Sequence, residues 1–185
     1  MMNYKFLFLG IILSLSSCIK KQDSHKEYVD LSFNSWKSAT ESTLKTDVQI
    51  DELTRLNMSN LFKHITKADF DELKKMIKVE NFHKQYFLLQ SYEGEVASYD
   101  LHYIIQKNNS YYWSSLKIGN EEKTFTKGKF VSKVDFSELI DKKVRSELAG
   151  LNVIITYKVD KTLDSKYLIL NDEILNFMNN ISNAK

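Results

Sequence analysis

Proline is absent from all 185 residues, and the chain carries only five glycines and one cysteine. With no proline to lock φ, neither a proline-rich linker nor a proline-marked helix end can be read from the chain. Beyond residue 17 the glycines are Gly94, Gly119, Gly128 and Gly150, so element boundaries have to be found from caps and from changes of hydrophobic period. A single cysteine excludes a disulfide framework within the chain and a cysteine-based metal cluster. Charge of one sign is also lacking: 26 basic and 24 acidic side chains are interspersed, which gives no global field for nucleic acid, and no nucleic-acid partner is expected. A glycine-rich phosphate loop, H-E-x-x-H and G-x-S-x-G are missing, and no apolar run reaches the ~20 residues needed to cross ~30 Å of hydrocarbon.

What is present begins at the amino terminus. Lys5 supplies a positive charge ahead of an apolar run from Phe6 to Leu15, and polarity returns at Ser16-Ser17 before Cys18 and Lys20-Lys21. This is the layout of a secretory signal peptide. The tetrad Leu15-Ser16-Ser17-Cys18 resembles the lipobox of bacterial lipoproteins: an aliphatic residue, two small residues, then cysteine. The resemblance covers residues 1–18. It implies signal-peptidase recognition through Leu15, Ser16 and Ser17, cleavage before Cys18, and acylation of the Cys18 thiol. Ile19, rather than aspartate, follows the cysteine, so the resemblance implies delivery to the outer membrane of a Gram-negative envelope. One acyl chain binds a membrane marginally and two or three bind it durably, at ~0.8 kcal/mol per buried CH₂.

The expected organisation is therefore a signal peptide at 1–17, a lipidated cysteine and polar tether at 18–30, and one globular domain at 31–185. Residues 1–17 carry one basic and no acidic side chain, so the remainder has a formal charge of +1. A chain of this size buries ~70% of its unfolded surface, enough for a core without disulfides.

Leu31, Phe33, Trp36, Ala39 and Leu44 predict a helix over about 32–45, and Ile50 to Ile65 predict one or two helical segments with a break near Asn57 to Asn60. Thr66 with Asp69 three residues on reads as a capping pair ahead of Phe70, Leu73, Met76 and Ile77. Strands follow at Tyr86 to Leu89, at Val96 to Lys107, from Tyr111 after an Asn108-Asn109 hairpin, and from Lys123 to Val131. In the second, Tyr99, Leu101, Tyr103 and Ile105 alternate with Asp100, His102, Ile104 and Gln106, which predicts a half-buried strand with a polar outer face. Asp135, with Glu138 at N3 and a Val134–Leu139 staple, predicts a helix from Phe136 to about Leu148 ending at Gly150. A strand over Leu151 to Val159, a loop over 160–165, a strand over Lys166 to Leu170, and a last helix burying Ile174, Leu175, Met178 and Ile181 complete the reading.

The order predicts an α+β domain: N-terminal helices, an antiparallel meander, then helix, strand, strand, helix. Helices ahead of a meander containing KNNSYYWSS resemble NTF2-like and cystatin-like cone folds, and the helix after residue 135 departs from that pattern.

Candidate chemistry is sparse. His25, His64, His83 and His102 lie far apart, and only His102 has an acid on its own strand face, at Asp100, with Glu93 and Glu95 in the preceding turn. A solvent-facing polar strand is the expectation there, with a metal or acid–base site as the alternative. No catalytic residue, metal or cofactor is assigned. Tyr111, Tyr112 and Trp113 are the candidate binding surface, since aromatic rings give large contact area at low rotamer cost. Two function classes follow: a lipid-anchored, non-enzymatic binding or adaptor module with a protein or glycan partner, including an immunity protein against a periplasmic toxin, or a hydrolase of cell-wall glycan or peptide.

Overall fold

The computed structural model describes residues 30–82, 84–92, 98–119, 122–141, 151–159 and 162–169, and Ile174, Asn176, Phe177, Asn179 and Asn180. Within these residues the domain is α+β, and its centre is a six-stranded antiparallel sheet. Three helices precede it. Helix α1 (Phe33–Thr46) starts at Ser32, whose hydroxyl accepts the Ser35 N–H at 3.1 Å, and it buries Trp36, Thr40, Thr43 and Leu44 at helical spacing. Helix α2 (Glu52–His64) starts at Asp51, which accepts the Thr54 N–H at 2.8 Å. Helix α3 (Lys67–Met76) starts at Thr66, where the expected capping pair forms in both directions: the Asp69 N–H donates to the Thr66 hydroxyl and the Thr66 N–H to the Asp69 carboxylate.

Helix α2 runs through the expected break at Asn57 to Asn60 without interruption. Thr54, Met58, Leu61 and Phe62 form its buried stripe, and asparagine and serine in a helix interior cost too little to break it against that packing. Leu53 and Leu56 face outward instead.

The strands are β1 (Lys84–Tyr92), β2 (Ser98–Lys107), β3 (Ser110–Gly119), β4 (Glu122–Val131), β5 (Leu151–Val159) and β6 (Thr162–Ile169). Their order across the sheet is β4-β3-β2-β1-β5-β6. Strands β1 to β4 are the predicted meander, and Asn108 takes the positive φ of 54° that the β2–β3 hairpin requires. After a helix α4 (Phe136–Asp141), the chain crosses to the far side of β1 and adds β5 and β6 there. Strand β6 begins at Thr162, four residues before its expected start, because the ladder to β5 pairs Thr162 with Val159 and Asp164 with Tyr157. Its first half is polar apart from Leu163, which is exposed, as an edge strand permits.

Both faces of the sheet are covered. On one, α1 to α3 pack Trp36, Phe62 and Phe70 over Phe87, Leu101, Tyr103 and Ile154; Phe70 and Phe87 stack at 4.3 Å, and Phe87 and Tyr103 at 4.6 Å. On the other, Phe136, Leu139, Ile140, Ile174 and Phe177 pack over Tyr86, Leu88, Ile104, Tyr111 and Ile155, with Phe136 and Phe177 stacked at 4.3 Å. The expected half-buried pattern of β2 is thus replaced by burial on both faces from Leu101 to Gln106. Phe177, absent from the expected inward set of the last helix, is part of this second core, as is Ile174; Leu175, Met178 and Ile181 lie outside the described residues. So do the expected continuation of α4 and Gly150. Val134 is 48% exposed, so the expected staple onto Leu139 is not closed.

A buried hydroxyl chain joins α1 to the far side of the sheet. Thr40 and Thr156 bond through their hydroxyls at 2.9 Å, Thr156 and Ser165 at 2.9 Å, and the Thr43 hydroxyl donates to the Ser165 carbonyl at 3.1 Å. Thr156→Val keeps the volume and leaves the Thr40 hydroxyl unpaired in the core, so it is expected to cost about 1–3 kcal/mol, with Thr40→Val in the same chain restoring part of that. Urea unfolding of the two variants checks this, and a Thr156→Val midpoint equal to that of the unaltered protein would show that the chain of hydroxyls holds nothing.

Candidate functional site

Three places in the described residues gather polar or charged side chains, and their geometry separates them. The first surrounds the start of α4. Asp135 caps it by accepting the Ser137 N–H at 3.0 Å, and the same carboxylate takes the Lys84 ammonium at 2.5 Å. Burial pushes the Asp135 carboxyl up, but the Lys84 ammonium and the Ser137 donors outweigh it and hold the group below the usual carboxylate range. Glu138, expected to reach back to the cap, is exposed. The Tyr111 hydroxyl donates to the Val134 carbonyl at 2.7 Å and accepts the Phe136 N–H at 3.1 Å, and burial pushes its phenol up to about 12. A cleft of about 420 Å³ lies beside these groups, lined among others by Lys84, Asn108, Asn109, Lys133 and Asp135. Its best-placed charge, Lys84, is neutralised internally, so the arrangement serves to seat α4.

The second lies on the sheet face beneath α4, where the register sets Leu88, His102 and Ser115 side by side and Gln90, Asp100 and Lys117 in the next row. His102 Nδ1 and the Ser115 hydroxyl are 2.5 Å apart. The expected solvent-facing polar strand is therefore corrected: His102 is 5% exposed and Ser115 6%. Burial lowers the His102 pKa below its ordinary value while Asp100 opposes the shift, so the imidazole is neutral at pH 7. Gln90 Oε1, His102 Nε2 and Trp113 Nε1 have no hydrogen-bond partner among the described residues. A neutral imidazole against a hydroxyl is a proton-accepting pair, but this one is closed to anything the size of a glycan or peptide. The described residues bring no three His, Cys, Asp or Glu side chains together for a metal. Glu93, Glu95, His25 and His83 lie outside the described residues, and His64 is exposed at the end of α2.

The third is open. A groove of about 370 Å³ runs between the α3–β1 connection and the edge strand β4, lined by Met76, Ile77, Lys78, Val79, Tyr112, Trp113, Lys127, Gly128 and Lys129. Tyr112 and Lys129 are cross-strand neighbours, and the ammonium sits over the ring at 4.9 Å. Gly128 lies opposite Trp113, whose indole passes so close that a Cβ at residue 128 would meet it at 2.6 Å. This glycine is needed for close approach. Among the described residues no carboxylate pairs with Lys78, Lys127 or Lys129, whereas Lys123, further along the same face of β4, donates to Asp69 at 2.7 Å and ties the strand to α3.

Of the three aromatics expected to offer a surface, Tyr111 and Trp113 are core residues, at 0% and 5% exposure. Covering of the one sheet face they share is the cause: Tyr111 packs against Phe130 and Phe177, and both Tyr111 and Trp113 belong to the second core. Tyr112 alone is half-buried, with its ring at the groove. Lys78, Lys127 and Lys129 were not singled out in the sequence; the signal for the last two is the Lys-Gly-Lys spacing, which puts two cations on one side of a strand. Leu15, Ser16, Ser17 and Cys18 lie outside the described residues, and no helix among those described is long and apolar enough to cross a membrane. No protein-family model, curated protein or solved structure matches the chain.

The buried imidazole predicts acid sensitivity. The folded state holds His102 neutral, while the unfolded chain binds a proton as the pH falls below ~6.5, so His102's contribution to stability is complete above that pH and is lost from there down toward the depressed folded-state value. The lowered carboxyls of Asp69 and Asp135 act in a separate, more acidic window, below the ordinary carboxylate value of 3.8. Urea midpoints compared at about pH 7.5 and 5.5 should fall for the unaltered chain and fall less for His102→Gln. Equal falls in both would place the acid sensitivity elsewhere.

Proposed function

We propose that this chain is a lipoprotein of a Gram-negative envelope, held by acylated Cys18 and delivered to the outer membrane, whose domain binds a macromolecular partner and does not catalyse. The observation that carries the binding reading is the groove at Tyr112: an aromatic floor bordered by three lysines with no carboxylate partner among the described residues. Cations left unpaired beside an accessible ring suit recognition of an anionic partner, since they steer encounter and fix orientation. Support for the anchor comes from the lipobox tetrad at residues 15–18 and from the distance in sequence between Cys18 and the first helix at Phe33, which leaves a tether between membrane and domain. Binding is favoured over hydrolysis because the Ser–His pair among the described residues is buried. An adaptor in an envelope assembly and an immunity protein are both binding modules of this kind.

Two variants test the two parts. Cys18→Ser should move the protein from the membrane to the soluble fraction and remove the acyl mass from the mature chain; an unmodified Cys18 in the wild-type protein, read by intact mass, ends the anchor reading. Tyr112→Ala should keep a cooperative unfolding transition and lose most of the envelope protein captured by a photo-crosslinker placed at Lys78. Undiminished capture would move the binding surface away from the groove.

A further inference from the structure

We propose that β4 is a receiving edge, which takes up an extended acidic segment of a protein partner as a seventh strand, with alternate carboxylates of that segment seated against Lys127 and Lys129. The inference rests on the binding-module reading and names the chemistry of its partner.

Strand β4 is ten residues long, stands at the end of the sheet, and makes extensive contact with β3 alone. Among the described residues no strand pairs with its outer side, which there presents a row of main-chain donors and acceptors, the template on which a further strand pairs. At the opposite edge, β6 is flanked by α1 and tied to it through Thr43 and Ser165. Lysines on an edge strand commonly serve only to discourage pairing. Here their placement is more specific. Lys123, Lys127 and Lys129 all fall on the face that carries Tyr112 and Phe125, while the other face of the same stretch holds Thr124, Thr126 and Gly128. Lys123 is used by Asp69, and Lys127 and Lys129 remain, converging with Lys78 on the groove.

An added strand repeats with the same period of two, so its residues i and i+2 lie beside Lys127 and Lys129. Carboxylates at those two positions complete two ion pairs at the mouth of the groove, and Tyr112 under Lys129 holds one ammonium in place. The same charges repel a strand with basic residues there, including the β4 of a second copy of this chain in a register that brings its lysines opposite these, and a neutral strand forgoes the ion pairs. Main-chain bonds then supply affinity, and the lysines supply selectivity and register.

The full chain in detergent micelles is to be tested against three ten-residue peptides: one alternating Asp with Thr, one alternating Lys with Thr, and the acidic peptide N-methylated at alternate residues. The acidic peptide should bind and should slow amide exchange in β4. Lys127→Glu with Lys129→Glu, or both to Gln, should weaken it by about tenfold or more while leaving the urea midpoint unchanged, and Lys63→Glu at the remote end of α2 should not. Equal binding of the N-methylated peptide would overturn strand addition, and equal binding of the lysine peptide would overturn the charge selection. If phosphatidylglycerol vesicles slow exchange in β4 and the acidic peptide does not, the lysines face lipid and the proposal falls. Should the acidic peptide fail while Tyr112-dependent capture at Lys78 persists, the binding-module reading stands without the seventh strand; loss of both removes both.

Discussion

Strand β1 is paired along its whole length on both edges, with Lys84 to Tyr92 opposite β2 on one side and β5 on the other, and its residues from Gln85 to Ser91 are buried on both faces. Nearly every other element is placed by that constraint. Phe87 points into the helix layer of α1 to α3 and stacks between Phe70 and Tyr103, while Tyr86 points the opposite way and meets Phe136 edge-on at 5.0 Å. Two cores are thus held by adjacent residues of one strand. Burying a large apolar side chain contributes ~1.5–3 kcal/mol, so this one strand carries a substantial part of a domain's net stability of ~5–15 kcal/mol.

Charge is used in a complementary way. The half-buried ion pairs Lys84–Asp135 and Lys123–Asp69 each join a strand to a helix cap: the first seats α4 on the second face, and the second pins β4 under α3. Asp69 shows how such a group is kept ionised. Burial raises its pKa, and the Lys123 ammonium together with the Thr66 donors more than offsets that. These lysines are committed to holding elements together, which sets them apart from Lys78, Lys127 and Lys129 at the groove, for which no carboxylate partner is present among the described residues.

Capping chemistry was the most legible part of the sequence. Ser32, Thr66 and Asp135 mark helix starts, and Asn108 marks the hairpin, because each acts through groups within three residues of itself. What the sequence concealed was long-range. Alternation along β2 and β5 reads as a strand with one wet face, yet Ile154 and Ile155 are both buried because a helix layer lies on each side. His102 reads as a solvent-facing polar residue for the same reason, since nothing local announces that it is buried, at 5% exposure, beside Ser115. Alternation places Tyr111 and Trp113 on one face and Tyr112 on the other and leaves open which set is core; the tertiary structure decides it, with Tyr112 outward beside Lys129. The edge status of β4, on which the groove depends, is a property of strand order and not of any short stretch of residues.

Strand order also has a consequence in time. Strands β1 to β4 are contiguous in the chain and can zip as successive hairpins, but the partner that closes the second edge of β1 comes only after α4. A ribosome delivers the amino-terminal residues first, so for the interval before Leu151 to Val159 arrive, a strand that is buried on both faces in the finished domain lacks its second neighbour. If β1 to β4 pair at that stage, the border of the four-stranded sheet is the strand that becomes its centre, the kind of open edge that captures neighbouring chains. A chain terminated before β5 is consequently not a shorter version of this protein but a different physical object, with an adhesive side where the finished domain has its middle.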